Sequence, residues 1–174
     1  SDVYKRQING TTNYILSRMS DDGSDFTEAL AEAQNLGYAE ADPSSDINGY
    51  DALYKLIIIG RIAFGTNVQI DSVFREGISQ IQSKDFRYSK EFGYTIKLIA
   101  AAQRIGNRLL MRVHPALIPL NVPIASVSGP MNMVEVEGNL VGPLWFQGAG
   151  AGPEPTASAI LGDILRLSLI HISE

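Results

Sequence analysis

The sequence changes texture at Gly65, and that change limits the folds open to it. Ahead of it, apolar residues recur at helical spacing; after it come β-rich runs broken by Gly, Asn and Pro turns. The stretch TTNYILSRM, residues 11 to 19, places Tyr14, Ile15 and Met19 on one face and predicts a helix. A second helix follows, with Asp25 or Thr27 as N-cap and Gly37 as its C-terminal stop. ADPSSDING reads as a loop. YDALYKLIIIGRIAFG reads as a third helix with its polar residues in the first two turns and its second half mostly buried. The runs VFREGISQI, YTIKLIAAAQRI, RLLMRVHPALI, MVEVEGNLVG and LWFQGAG are expected to be strands of a mostly antiparallel sheet, with hairpins at IGNR and EGN. A short helix is expected near KDFRYSKEFG, and an amphipathic one over PTASAILGDILRL, where Pro155 stands near the start. The class this predicts is α+β: helices first, then a sheet for them to cover, closed by a C-terminal amphipathic helix.

Composition narrows what such a fold can do. A chain of 174 residues, 45% hydrophobic, suits one domain with a substantial core. It contains no cysteine, which removes disulfides, thiolate catalysis and Cys-type zinc sites. A net charge of −5 without any Lys/Arg run speaks against nucleic acid as a partner. The apolar runs are much shorter than the roughly 20 residues that span a bilayer, so no membrane anchor is expected. No signal peptide is recognisable, and an intracellular setting is the simpler default. Residues 1–7 and 168–174 read as non-native ends and carry no functional weight.

The segment LGYAEADPSSDINGYDALYKL, residues 36 to 56, gathers Glu40, Asp42, Asp46 and Asp51 ahead of a single Lys55. On a helix Asp51 and Lys55 are one turn apart and can pair. The plain reading is a surface ion pair worth a few tenths of a kcal/mol. Lys55, however, leads into Leu56, Ile57, Ile58 and Ile59, and a partly buried lysine beside a carboxylate is suited to acid–base work. Several carboxylates around one ammonium would suit a zwitterionic substrate, an acid taking its amine and the lysine meeting a carbonyl or hydroxyl oxygen.

Three blocks, INGTTNYILSRM, LGYAEADPSSDINGYDALYKL and GAGAGPEPTASAILGDIL, together resemble homoserine dehydrogenase. The resemblance implies a cytoplasmic oxidoreductase of threonine, methionine and isoleucine biosynthesis. It interconverts L-homoserine and L-aspartate 4-semialdehyde with NADP or NAD, and acts as a homodimer. It puts the catalytic proton donor at Lys55, with Asp51 to orient it. Glu40 and Asp46 fall among the substrate-holding acids, and Tyr38, Thr11 and Gly10 line the pocket. Gly150 and Gly152 fall where the chain returns toward a nucleotide-binding domain and touches the nicotinamide. Residues 8–150 would then be the catalytic domain and 151–167 a Gly-rich turn and returning helix. The family's G-x-G-x-x-G fingerprint does not occur in this sequence, so the chain alone is expected to be inactive. The competing reading is a non-catalytic amino-acid-binding or oligomerisation module.

Other residues read more plainly. His114 is taken as structural, since one histidine cannot make a metal site. Lys97 reads as a strand lysine reaching out at a sheet edge, and Trp145 and Phe146 as core or subunit-interface residues.

Overall fold

The computed structural model describes residues 3–150 and 152–172. Helix α1 (Gly10–Asp21) starts where the Asn9 side chain accepts the amide of Thr12 at 2.7 Å, satisfying one of the donors a helix N-terminus leaves open. Helix α2 (Phe26–Asn35) opens on a reciprocal cap: Glu28 N donates to Asp25 Oδ1 at 2.9 Å and Asp25 N to Glu28 Oε2 at 3.2 Å. Its Glu32 ties it back to α1 by accepting from Tyr14 OH and Arg18 Nε. The expected loop after it contains a single helical turn, α3 (Ser44–Ile47), at whose start Ser44 N donates to Asp42 Oδ1 at 3.1 Å.

Helix α4 (Tyr50–Phe64) departs from expectation in its second half. Ala52, Leu53, Leu56, Gly60 and Phe64 form the buried stripe, while Ile58 and Ile62 are 59% and 79% exposed. The sequence there is apolar around most of the axis, but a helix lying on a sheet covers only one side of itself.

Strands β1 (Val3–Gln7), β2 (Phe74–Arg75), β3 (Tyr94–Ile105), β4 (Arg108–Pro119), β5 (Met131–Gly138) and β6 (Gly142–Ala149) form one sheet in the order β2-β4-β3-β1-β5-β6. All neighbours are antiparallel except β2 and β4. The β3–β4 hairpin closes at Ile105↔Arg108 and the β5–β6 hairpin at Gly138↔Gly142, at the two expected turns. Val3–Gln7 runs through the middle of the sheet, paired with β3 on one side and β5 on the other. One expectation is corrected. VFREGISQI supplies only the two residues of β2. Its backbone stays on β4 as far as Glu76, whose N donates to the Val113 carbonyl, and then turns toward α3, Ile78 N donating to the carbonyl of Ile47, both at 2.8 Å.

Alternation along β3 divides the interior. Ile96, Leu98, Ala100 and Ala102 pack with α1, α2 and α4, whereas Ile99 joins Ile124, Val127 and Met133 in a smaller cluster. Between β4 and β5 the chain passes through a short 3₁₀ turn, Pro123–Ser126. Helix α5 (Ser83–Glu91) precedes β3, and α6 (Pro153–Ile172) follows β6. The architecture is α+β.

Candidate active site

A cavity of about 520 Å³ opens where the start of α1, the α2–α4 connection and the start of α6 meet, a size within the range of about 300–1,000 Å³ usual for small-ligand sites. Asn9, Gly10 and Thr11 form one wall, Tyr38, Glu40 and Asp46 another, and Pro130, Asn132, Gly150 and Gly152 a third; Asp51 and Lys55 reach in from α4.

Lys55 Nζ is 2.7 Å from Asp51 Oδ2, one helical turn away, and donates at 3.3 Å to the carbonyl of Ile8. Asp51 Oδ2 accepts a second hydrogen bond, from Asn9 Nδ2 at 2.7 Å, and the same nitrogen donates to Asp46 Oδ1 at 2.6 Å. One carboxamide thereby spans two carboxylates that would otherwise repel. Thr11 Oγ1 donates to the Tyr38 carbonyl at 2.6 Å, fixing the α2–α4 connection against α1. Glu40 lies on that connection with an exposed side chain. The cavity thus presents three carboxylates and one ammonium, a balance that attracts a cationic amine.

Two glycines keep the walls close. A Cβ on Gly10 would lie 2.7 Å from the Pro130 carbonyl oxygen, and one on Gly150 would lie 1.7 Å from Asn132 Nδ2. Only a residue without a side chain permits either approach.

The sequence profile of the family described as homoserine dehydrogenase matches residues 5–165. The chain belongs to the homoserine dehydrogenase family. The homoserine dehydrogenase of Neisseria gonorrhoeae is 48% identical over 161 residues, covering 92% of this chain and 37% of that protein. A solved homoserine dehydrogenase from Thiobacillus denitrificans superposes with a TM-score of 0.96 at 50% identity, over 99% of this chain and 40% of that one. A hyperthermophilic archaeal homoserine dehydrogenase solved in complex with NADPH gives a TM-score of 0.79 at 28% identity, over 96% of this chain and 47% of that one. The chain therefore spans less than half the length of each of these relatives.

Within this homoserine dehydrogenase fold, all nine residues assigned from the sequence line the one cavity: Gly10, Thr11, Tyr38, Glu40, Asp46, Asp51, Lys55, Gly150 and Gly152. Asp42, grouped with the acids on sequence, is not on its wall. It faces the start of α3, where hydrogen bonds from the Ser44 hydroxyl and amide hold its carboxyl below the ordinary range. The expectation for Lys97 is also corrected. It is 4% exposed, in a strand with neighbours on both sides, and does not reach out at an edge. Trp145 and Phe146 are exposed and so do not belong to the core of this chain; Trp145 Nε1 donates to Glu135 across the hairpin. Asn9 was missed. An Asn just before a helical pattern is an N-cap signal that could have singled it out, but only the tertiary fold brings Asp46 and Asp51 to its amide.

Proposed function

We propose that this chain forms the substrate-binding and proton-transferring part of an NAD(P)-dependent homoserine dehydrogenase, interconverting L-homoserine and L-aspartate 4-semialdehyde. The observation that carries the reading is the 2.7 Å Lys55–Asp51 contact inside a cavity that also presents Glu40 and Asp46. Family membership and the NADPH-bound relative support the choice of reaction and cofactor class.

Homoserine brings an ammonium, a carboxylate and a C4 hydroxyl. Glu40 and Asp46 offer the ammonium its counter-charge. The N-terminus of α1 at Gly10 and Thr11 adds the positive end of a helix dipole, which favours the substrate carboxylate. The C4 oxygen is then left for Lys55. In the oxidative direction the neutral Lys55 amine takes the hydroxyl proton as C4–H leaves with its electron pair. In reduction the Lys55 ammonium returns a proton to the aldehyde oxygen as that oxygen gains charge. Asp51 steadies the ammonium form and keeps Nζ in place. A nicotinamide, when bound, supplies the acceptor or donor of that electron pair and hydrogen. The bare backbone of Gly150 and Gly152 suits a flat ring brought close to that wall.

In a full-length protein carrying this segment, Lys55→Met should lower kcat by about 10²- to 10⁴-fold, leave KM for homoserine within a few fold, and flatten the pH profile of kcat. Near-normal turnover in that variant would reduce Lys55 to an ion-pair partner and overturn the reading.

A further inference from the structure

Lys97 is the buried charge that the reaction scheme does not use. It lies on β3 three residues before Ala100, the last β3 residue paired with β1 in the sequence of contacts from Val3↔Gln103 to Arg6↔Ala100. Beyond that point the side of β3 vacated by β1 meets α1 and the segment leading into β5. There Lys97 Nζ donates to Asn13 Oδ1 at 2.9 Å and to the Val127 carbonyl at 2.5 Å. Asn13, itself buried, directs its amide nitrogen at three carbonyls of the same segment: Val127 at 3.1 Å, Gly129 at 2.9 Å and Met131 at 3.3 Å. No acid makes an ion pair with Lys97 among the described contacts, and burial lowers its pKa to about 8, with Asp21 opposing. An unpaired lysine in a core is costly, and apolar side chains would fill a strand interior without that cost.

What the pair holds explains its placement. Asn13 is one turn along α1 from Asn9, whose carbonyl accepts the Asn13 amide at 3.1 Å. The carbonyls that Asn13 and Lys97 gather flank Pro130, and Pro130 closes on Gly10 while Asn132 closes on Gly150. We propose that Lys97 and Asn13 are positioning residues of the substrate site: together they fix the 127–132 segment against α1, so that Pro130 and Asn132 form the third wall of the cavity opposite Glu40 and Asp46. Neither residue touches the cavity. The inference rests on the reading of that cavity as the homoserine site.

The test uses the full-length enzyme with Lys97→Met, which keeps the length of the side chain but has no N–H, and Asn13→Ala. Each should raise KM for homoserine about tenfold, the scale of one lost buried hydrogen bond from a charged donor, with a smaller fall in kcat. The shape of the kcat pH profile, assigned to Lys55, should not change. In the same variants, hydrogen exchange of the 127–133 amides should quicken about tenfold while α2 and α4 keep their protection. The double variant should be no worse than the poorer single one, because both act on one segment. Unchanged KM, or exchange that quickens uniformly across the protein, would overturn the proposal and leave Lys97 a core residue. Lys97→Gln, which retains a donor, should recover part of the loss; if neither Lys97 variant folds, the lysine serves the fold and the proposal fails. Lys55→Met run alongside separates the two readings: normal turnover there sinks the catalytic assignment, while the exchange measurement still judges Lys97.

Discussion

The carboxamide of Asn9 works at both of its ends. Its oxygen caps α1 through Thr12 N, and its nitrogen holds Asp46 and Asp51 together at 2.6 and 2.7 Å. The two roles separate by substitution. Asn9→Ser keeps a good cap and should leave stability within about 0.5 kcal/mol, but cannot reach both acids, so kcat/KM should fall by about tenfold or more, as for lost hydrogen bonds to charged groups. Asn9→Ala should show the same kinetic loss with roughly 1 kcal/mol of stability lost as well. Urea midpoints and steady-state kinetics on the same samples check both, and equal stability losses in the two variants would count against the division. Glu40 offers a second contrast. If it holds the substrate amine, it acts alike on ground and transition states, so Glu40→Gln should chiefly raise KM. A variant with kcat abolished and KM unchanged would move Glu40 into the proton-transfer step.

Among the elements, β3 carries the clearest pH signature. Folded Lys97 titrates at about 8 against an ordinary 10.5. Between those values the unfolded chain holds the proton that the folded chain has released. Stability should therefore rise with pH across that window, reach its full contribution above 10.5, and be lost as pH falls through about 8. The whole step is on the order of 3 kcal/mol. Tyr14 works the other way at the alkaline end: burial, followed by its hydrogen bond to Glu32, raises its pKa above 10.0, so it loses stability as pH climbs beyond that value. The interval from pH 8 to 9.5 thus isolates the lysine. Chemical denaturation there should show a rising slope in the parent protein that is absent in Lys97→Met; parallel curves would mean that Lys97 keeps its proton in the fold. The α2 cap predicts a simpler effect, since Asp25→Ala should lower stability by about 1 kcal/mol at any pH near neutral.

At the scale of the molecule, apolar surface remains uncovered. The face of β3 and β4 turned away from α1, α2 and α4 keeps Ala101, Ala116 and Ile118 half-buried and Leu110 exposed, and Leu144, Trp145 and Phe146 on β6 are exposed. Helix α6 likewise exposes Ile160, Leu161, Ile164 and Leu165. Patches of this kind mark surfaces that another body covers. We propose that a second copy covers the sheet face, giving a homodimer, and that a nucleotide-binding domain receives α6. Light scattering of the full-length protein at micromolar concentration should give twice the chain mass, and a stable monomer would contradict it. Since hydride chemistry needs a cofactor platform and the sequence holds no G-x-G-x-x-G turn, the 174-residue chain by itself should form no NADPH from homoserine. Measurable formation would refute that.

Local chemistry made much of this protein legible without coordinates. The Gly106–Asn107 turn, the long β3–β4 hairpin and the Asp51–Lys55 spacing depend on residues near one another in the chain, so pattern alone determined them; for the α2 cap it left Asp25 and Thr27 open, and the structure has Asp25. The cavity residues were legible for a different reason, because three separated blocks resemble one family. Tertiary structure decided what needs distant partners. Val3–Gln7 is a central strand only because β3 and β5 pair with it from opposite sides, and Ile58 and Ile62 are exposed because α4 lies on the sheet with one face alone. Lys97 most sharply divides the two. In sequence it is a polar residue in an apolar strand, which is most simply placed at an edge. In the fold β1 ends beside it, and the partners that make its burial tolerable, Asn13 and Val127, are 84 residues before it and 30 after it in the chain.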